Sequence, residues 1–114
     1  MPTKFKDLTP ELPHMDIVVA ERALVAESPE GDRTPIQVRI GRPYKVAEKT
    51  WTCPLKLDGL GSVSDGLGTD SWSALTVAIG VARQQLKICV EKGARLLCRD
   101  DDSEIELDDL FPQF

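Results

Sequence analysis

The sequence predicts an α+β fold, an antiparallel sheet of about four to five strands with one long helix packed on one face. Three observations carry this reading. Ile36, Val38 and Ile40 alternate with Gln37 and Arg39, the period-two pattern of a half-buried strand. Leu75, Ala78, Ile79, Ala82, Leu86 and Cys89 recur at three- and four-residue intervals, the stripe of an amphipathic helix. The element order, strand-strand-strand-helix-strand, suits a two-layer sandwich rather than a doubly wound parallel sheet.

Residues 1–14 contain Pro2, Pro10 and Pro13 and read as a leader, although Phe5, Leu8 and Leu12 give it means to dock on the body. The β-branched run from Met15 to Ala26 predicts a first strand, with a helix left open by its alanines and the Glu21-Arg22 pair. Ser28-Pro29-Glu30-Gly31-Asp32 makes a turn, so the second strand, Thr34 to Gly41, returns as an antiparallel hairpin partner. A third strand is expected from Trp51 to Asp58, with Trp51, Cys53, Leu55 and Leu57 on one face. Pro54 cannot donate to a ladder and implies an edge or a bulge.

A glycine-rich loop, Gly59 to Thr69, leads to Asp70 or Ser71 as helix N-cap. The helix extends to about Lys92, Trp72 prolongs its apolar stripe, and Gly93 is placed to end it. Arg95 to Arg99 predicts a fourth strand and Glu104 to Leu107 a short fifth. Residues 15–99 therefore form a single domain, preceded by the leader and followed by an acidic segment, 100–114. Gln37, Arg39, Lys56 and Asp58 are expected on the open sheet face.

The patterns Ile36-x-Val38-x-Ile40-Gly41-Arg42-Pro43, Trp51-x-Cys53-Pro54-Leu55-x-Leu57-Asp58-Gly59-Leu60 and Asp70-Ser71-Trp72-x-Ala74-Leu75-x-x-Ala78-Ile79 resemble a group of small uncharacterised bacterial proteins. The resemblance spans roughly residues 15–99. It implies a bacterial origin and a strand-rich sheet with one long helix, and it brings no activity, cofactor or catalytic residue.

Composition narrows the function. The 114 residues carry a net charge of −5, and no apolar run is long enough to cross a bilayer. A sequence pI near 4.8 disfavours binding to nucleic-acid phosphates, so neither nucleic acid nor membrane is expected as a partner. Cys53, Cys89 and Cys98 are an odd, widely spaced set, read as structural thiols of a cytoplasmic protein.

Catalysis is not expected. The single histidine, His14, lies in the leader, away from any Ser or Cys that it would have to activate. Gly59-Leu60-Gly61-Ser62-Val63-Ser64 lacks the last glycine of a dinucleotide loop, and no Gly-Lys-Ser/Thr follows it. The acidic segment lacks the glycine and glutamate of a calcium loop at their required positions, Ile105 and Phe111 standing there instead. No catalytic, metal-binding or cofactor residue is assigned, and no cofactor is expected.

The negative charge is local. Asp100, Asp101, Asp102, Glu104, Glu106, Asp108 and Asp109 account for more than the whole net charge, and Ile105, Leu107, Leu110 and Phe111 interrupt them. These seven acids are the candidate partner-binding residues, suited to steering a basic protein. The expected function is a non-enzymatic protein-interaction module, in its sharpest form an immunity-like protein that neutralises a toxin. The alternative is a small-ligand-binding domain using the glycine-rich loop and the helix N-terminus.

Overall fold

The computed structural model describes residues 17–61 and 63–112. In chain order they form β1 (Val18–Glu27), β2 (Arg33–Gly41), β3 (Tyr44–Ala47), β4 (Thr50–Cys53), β5 (Leu55–Asp58), β6 (Gly66–Gly68), α1 (Ser71–Glu91), β7 (Arg95–Cys98) and the one-turn helix α2 (Leu107–Leu110). The architecture is α+β. A four-stranded antiparallel sheet has the order β5-β2-β1-β7, and a three-stranded sheet has the order β3-β4-β6. The leader and His14 lie outside the described residues.

β1 and β2 form the expected hairpin. Gly31, at φ 91°, takes the left-handed turn conformation that glycine adopts without a Cβ penalty, and its N–H donates to the Ser28 carbonyl at 2.9 Å. Pairing of Leu24 with Ile36 and of Arg22 with Val38 sets the register. Leu24, Ile36, Val38 and Ile40 are thereby buried in the core. On the opposite face Gln37 donates to Glu21 Oε1 at 3.0 Å and Arg39 to Asp58 Oδ2 at 2.8 Å, a polar surface as the alternation requires.

The single third strand expected from Trp51 to Asp58 is two strands in two sheets. Pro54 separates β4 from β5 because it has no N–H to continue either ladder. It lies buried rather than on a solvent face, and its carbonyl accepts from the Gly41 N–H at 2.9 Å. β4 then pairs with β3 and β6, neither of which the sequence pattern revealed.

β6 lies within the glycine-rich loop. Gly59 and Gly61 hold positive φ in turns, but Gly66 and Gly68 are extended and lie against α1. A Cβ on Gly66 would overlap the Ala74 carbonyl, and one on Gly68 would come within 2.6 Å of Ser73 Cβ. These two glycines let the helix ride directly on the strand backbone.

α1 starts where Asp70 Oδ1 accepts from the Ser73 N–H at 2.7 Å, the expected N-cap. Its buried line is Ala74, Ala78, Ala82 and Leu86, one residue every four, narrower than the predicted stripe. Leu75 and Cys89 are half-buried, whereas Ile79 and Trp72 are 37% and 72% exposed, so Trp72 does not prolong the packed face. Small side chains are needed here because α1 runs closest to β6 and β4.

The predicted fifth strand is reduced to one isolated bridge, Leu97 with Glu104. Leu107 and Leu110, three apart, instead put their turn of chain into α2. Ile105, Leu107, Leu110 and Phe111 all pack against the core, so residues 100–111 form a strap across the body.

Candidate functional site

The strap is fixed by charge at one end of the four-stranded sheet. Arg33 Nε and Arg95 Nη2 donate to the two carboxylate oxygens of Glu27 at 3.1 and 2.8 Å. Each arginine then reaches an acid of the strap, Arg33 to Asp102 Oδ1 at 3.1 Å and Arg95 to Glu104 Oε1 at 3.3 Å. The two guanidinium groups hold the Glu27 carboxyl below the usual glutamate range, and Glu27 in turn raises both arginines.

The other predicted acids are dispersed along the strap. Asp101 Oδ1 accepts from the Ser103 hydroxyl at 2.7 Å and from its N–H at 3.0 Å, which lowers the Asp101 carboxyl. Asp102 sits at φ 61°, where the chain reverses after β7. Asp108 lies 3.7 Å from Arg83 Nη2 on α1, and Asp109 Oδ2 accepts from the Glu106 N–H at 3.3 Å. Asp100 is exposed, and Glu106, also exposed, forms a capping box with Asp109 at the start of α2. The seven acids therefore make no single patch. Asp102, Glu104 and Asp108 each pair with an arginine of the body, Arg33 and Arg95 being shared with Glu27.

What the strap encloses is apolar. A cleft of about 350 Å³ lies between the four-stranded sheet, α1 and the strap. Leu24, Val38 and Ile40 form its sheet wall, Ile79 and Leu86 its helix wall, and Ile105, Leu110 and Phe111 its strap wall. Arg22 and Asp109 supply the charged side chains of its lining, whereas Glu21 borders it with its carboxylate on the opposite sheet face, accepting from Gln37. Ala20 adds the smallest side chain on the β1 side.

The cleft borders an unpaired strand edge. β7 pairs with β1 only from Leu24 to Glu27. The chain then turns at Asp102 and folds back along the far edge of β7, where the Ile105 N–H donates to the Leu96 carbonyl at 2.8 Å. Among the described residues nothing pairs with the β7-facing edge of β1 from Val18 to Ala23. Ile17, Val18 and Val19, at the start of that edge, are 43%, 36% and 52% exposed.

The glycine-rich loop and the helix N-terminus do not combine into one site. A smaller hollow of about 240 Å³ beside the loop is lined by Leu55, Lys56, Leu57, Asp58, Gly61 and Val63, with nothing from α1. The Ser73 amide at the helix start is taken by Asp70. Cys53, Cys89 and Cys98 are free thiols, and burial raises the Cys53 thiol above its ordinary value. Among the described residues no three His, Cys, Asp or Glu side chains come together as metal ligands, and no helix is long and apolar enough to cross a membrane.

Sequence reasoning missed the cleft because its walls come from four separate stretches of chain. One local signal was present. Ile17-Val18-Val19 is apolar at consecutive positions, so both faces of the strand start are apolar where alternation would make one polar.

The fold defines a small two-sheet α+β domain with an apolar cleft under a C-terminal strap. The chain belongs to the family described as "Domain of unknown function (DUF6968)", which matches residues 20–107. That match covers both sheets, α1 and the start of the strap, in keeping with the resemblance to an uncharacterised group. No curated protein and no solved structure matches the chain.

Proposed function

We propose that this domain is a non-enzymatic protein-interaction module whose binding site is the cleft between the four-stranded sheet, α1 and the strap. The cleft itself carries the reading: about 350 Å³, apolar on three walls, open to solvent, with Arg22 and Asp109 as its charged groups. Exposed aliphatic side chains at Ile17, Val18 and Val19 extend the apolar surface. The acidic strap supports a basic partner, since Asp100 and Glu106 are exposed carboxylates on it. The narrower version, neutralisation of a toxin, draws on small size and acidity alone.

A second reading, binding of a small apolar molecule, is favoured by the cleft volume, which falls in the range of small-ligand sites. It places the ligand under the strap instead of at the glycine-rich loop.

Selection of displayed peptides on the folded protein tests the first reading, with Ile79→Arg as counter-target. Ile79 lines the cleft but is 37% exposed, so the arginine can be solvated without unfolding the helix. Peptides that bind wild type and lose at least about tenfold on the variant sustain the proposal. Enrichment of no peptide, or binding indifferent to Ile79→Arg, overturns it.

A further inference from the structure

We infer that the open edge of β1, Val18 to Ala23, is a strand-addition site for an extended segment of a partner protein, apolar at alternate positions and flanked by Lys or Arg. The inference rests on the reading of the cleft as a protein-binding site and adds how the partner is held.

The backbone supplies the first half of the recognition. Along this edge every second residue of β1 turns its N–H and C=O away from β2, toward space that no described strand occupies. Proteins blunt such edges with lysine, proline or a covering element, because an added strand satisfies the whole row at once. Here the run Val18-Val19-Ala20-Glu21-Arg22-Ala23 holds neither lysine nor proline, and a register shift at Val19 is its one irregularity.

Side chains supply the second half. Ala20 and Arg22 pair with Ile40 and Val38, so they share the face of β1 that looks into the cleft. A strand laid beside them turns alternate side chains toward the same face, over the cleft. Ala20 leaves room for them. The arrangement is the β-augmentation mode, with affinity from the main chain and selectivity from the pocket.

Charge selects the occupant. Asp109 lines the cleft and Glu106 begins the same turn of α2, against one cation of the lining, Arg22; the Glu21 carboxylate lies on the opposite sheet face with Gln37. A second copy would bring another strap and another net charge of −5 to the same place, so like charges would meet. A Lys- or Arg-flanked segment meets opposite charge.

The probe is the peptide Lys-Lys-Val-Leu-Val-Phe-Val-Lys-Lys, followed by amide hydrogen exchange on ¹⁵N-labelled protein. The expected result is slowing of at least about tenfold at alternate amides between Val18 and Ala23. N-methylation of the probe at Leu and Phe, or at the three valines that alternate with them, should abolish binding for one set and spare it for the other. Glu-flanked probe should bind at least about tenfold more weakly at low salt. Val19→Lys, at a side chain already 52% exposed, should weaken the Lys-flanked probe without loss of folding. Perturbation confined to Ile79, Leu86 and Phe111 with unchanged β1 exchange overturns strand addition and leaves the cleft reading standing. Protection at the edges of β3 or β5, no binding of the probe, or a concentration-dependent dimer that protects β1 also overturns it.

Discussion

Arg95 Nη2 lies 2.8 Å from Glu27 Oε1, directly across the β1–β7 pair in which Glu27 and Arg95 are opposite one another. The other Glu27 oxygen accepts from Arg33 at 3.1 Å, on the strand at the other side. One carboxylate thus ties three adjacent strands, and both arginines continue into the strap. The Glu27 side chain is only 19% exposed, which protects this junction from screening better than an open surface pair.

This junction sets a pH dependence. The folded-state pKa of Glu27 lies below its unfolded value, so its contribution is present above roughly pH 4.3 and is lost as pH falls through the lowered folded value. Asp70 and Asp101 shift the same way and act in the same direction. Glu27→Gln should therefore lose stability at neutral pH and show a shallower decline between pH 5 and about 2 than wild type. Urea midpoints measured across that range check it, and parallel curves for the two proteins would contradict it.

Close approach of α1 to β6 makes a glycine pair irreplaceable. Gly66→Ala would push a methyl group into the Ala74 carbonyl and Gly68→Ala one into Ser73, each with an expected cost of about 1–3 kcal/mol. Gly80→Ala is the control, because nothing lies within 4 Å of its added Cβ. There the expected change is a gain of about 0.5–1 kcal/mol from helix propensity. Thermal denaturation of the three variants should order them on opposite sides of wild type.

The core line of α1 should tolerate no charge. Ala82→Asp or Leu86→Asp puts an unpaired carboxylate where wild-type side chains are 1% exposed, and each is expected to unfold the protein. Lys87→Asp, on the exposed side, should change stability by less than about 1 kcal/mol. Near-ultraviolet circular dichroism and melting curves distinguish these outcomes.

Thiol reactivity should separate the three cysteines. Cys53 is fully buried, donates to the Gly41 carbonyl at 3.4 Å and has a raised pKa, so a thiol reagent should reach it only on unfolding. Cys89 and Cys98 are half-buried and should react first. Mass mapping of reagent on Cys53 in the folded protein would contradict the packing described.

Much of the sheet was legible because β2 keeps strict alternation and the Ser28–Asp32 turn has its glycine at the position that needs positive φ. Asp70 was legible as a cap for the same local reason. β3 and β6 were not, since Tyr44–Ala47 and Gly66–Gly68 are too short for either period to declare itself. Alternation misled at Ile105 and Leu107, where the Leu107–Leu110 spacing of a helical turn decided the outcome. The seven acids were visible as a block, but the arginines that pair with Asp102, Glu104 and Asp108 stand 69, 9 and 25 positions away in Arg33, Arg95 and Arg83. The cleft was invisible for that same reason, being a product of tertiary contacts alone.

Pro54 gives the molecule a mechanical property. The stretch from Thr50 to Asp58 belongs to the three-stranded sheet before the proline and to the four-stranded sheet after it, with Gly41 bonded to its carbonyl at the crossing. Neither sheet can lose its strand from this stretch without pulling on the other. The two sheets should therefore melt as one cooperative unit, and their amides should share a single global opening free energy in native-state hydrogen exchange.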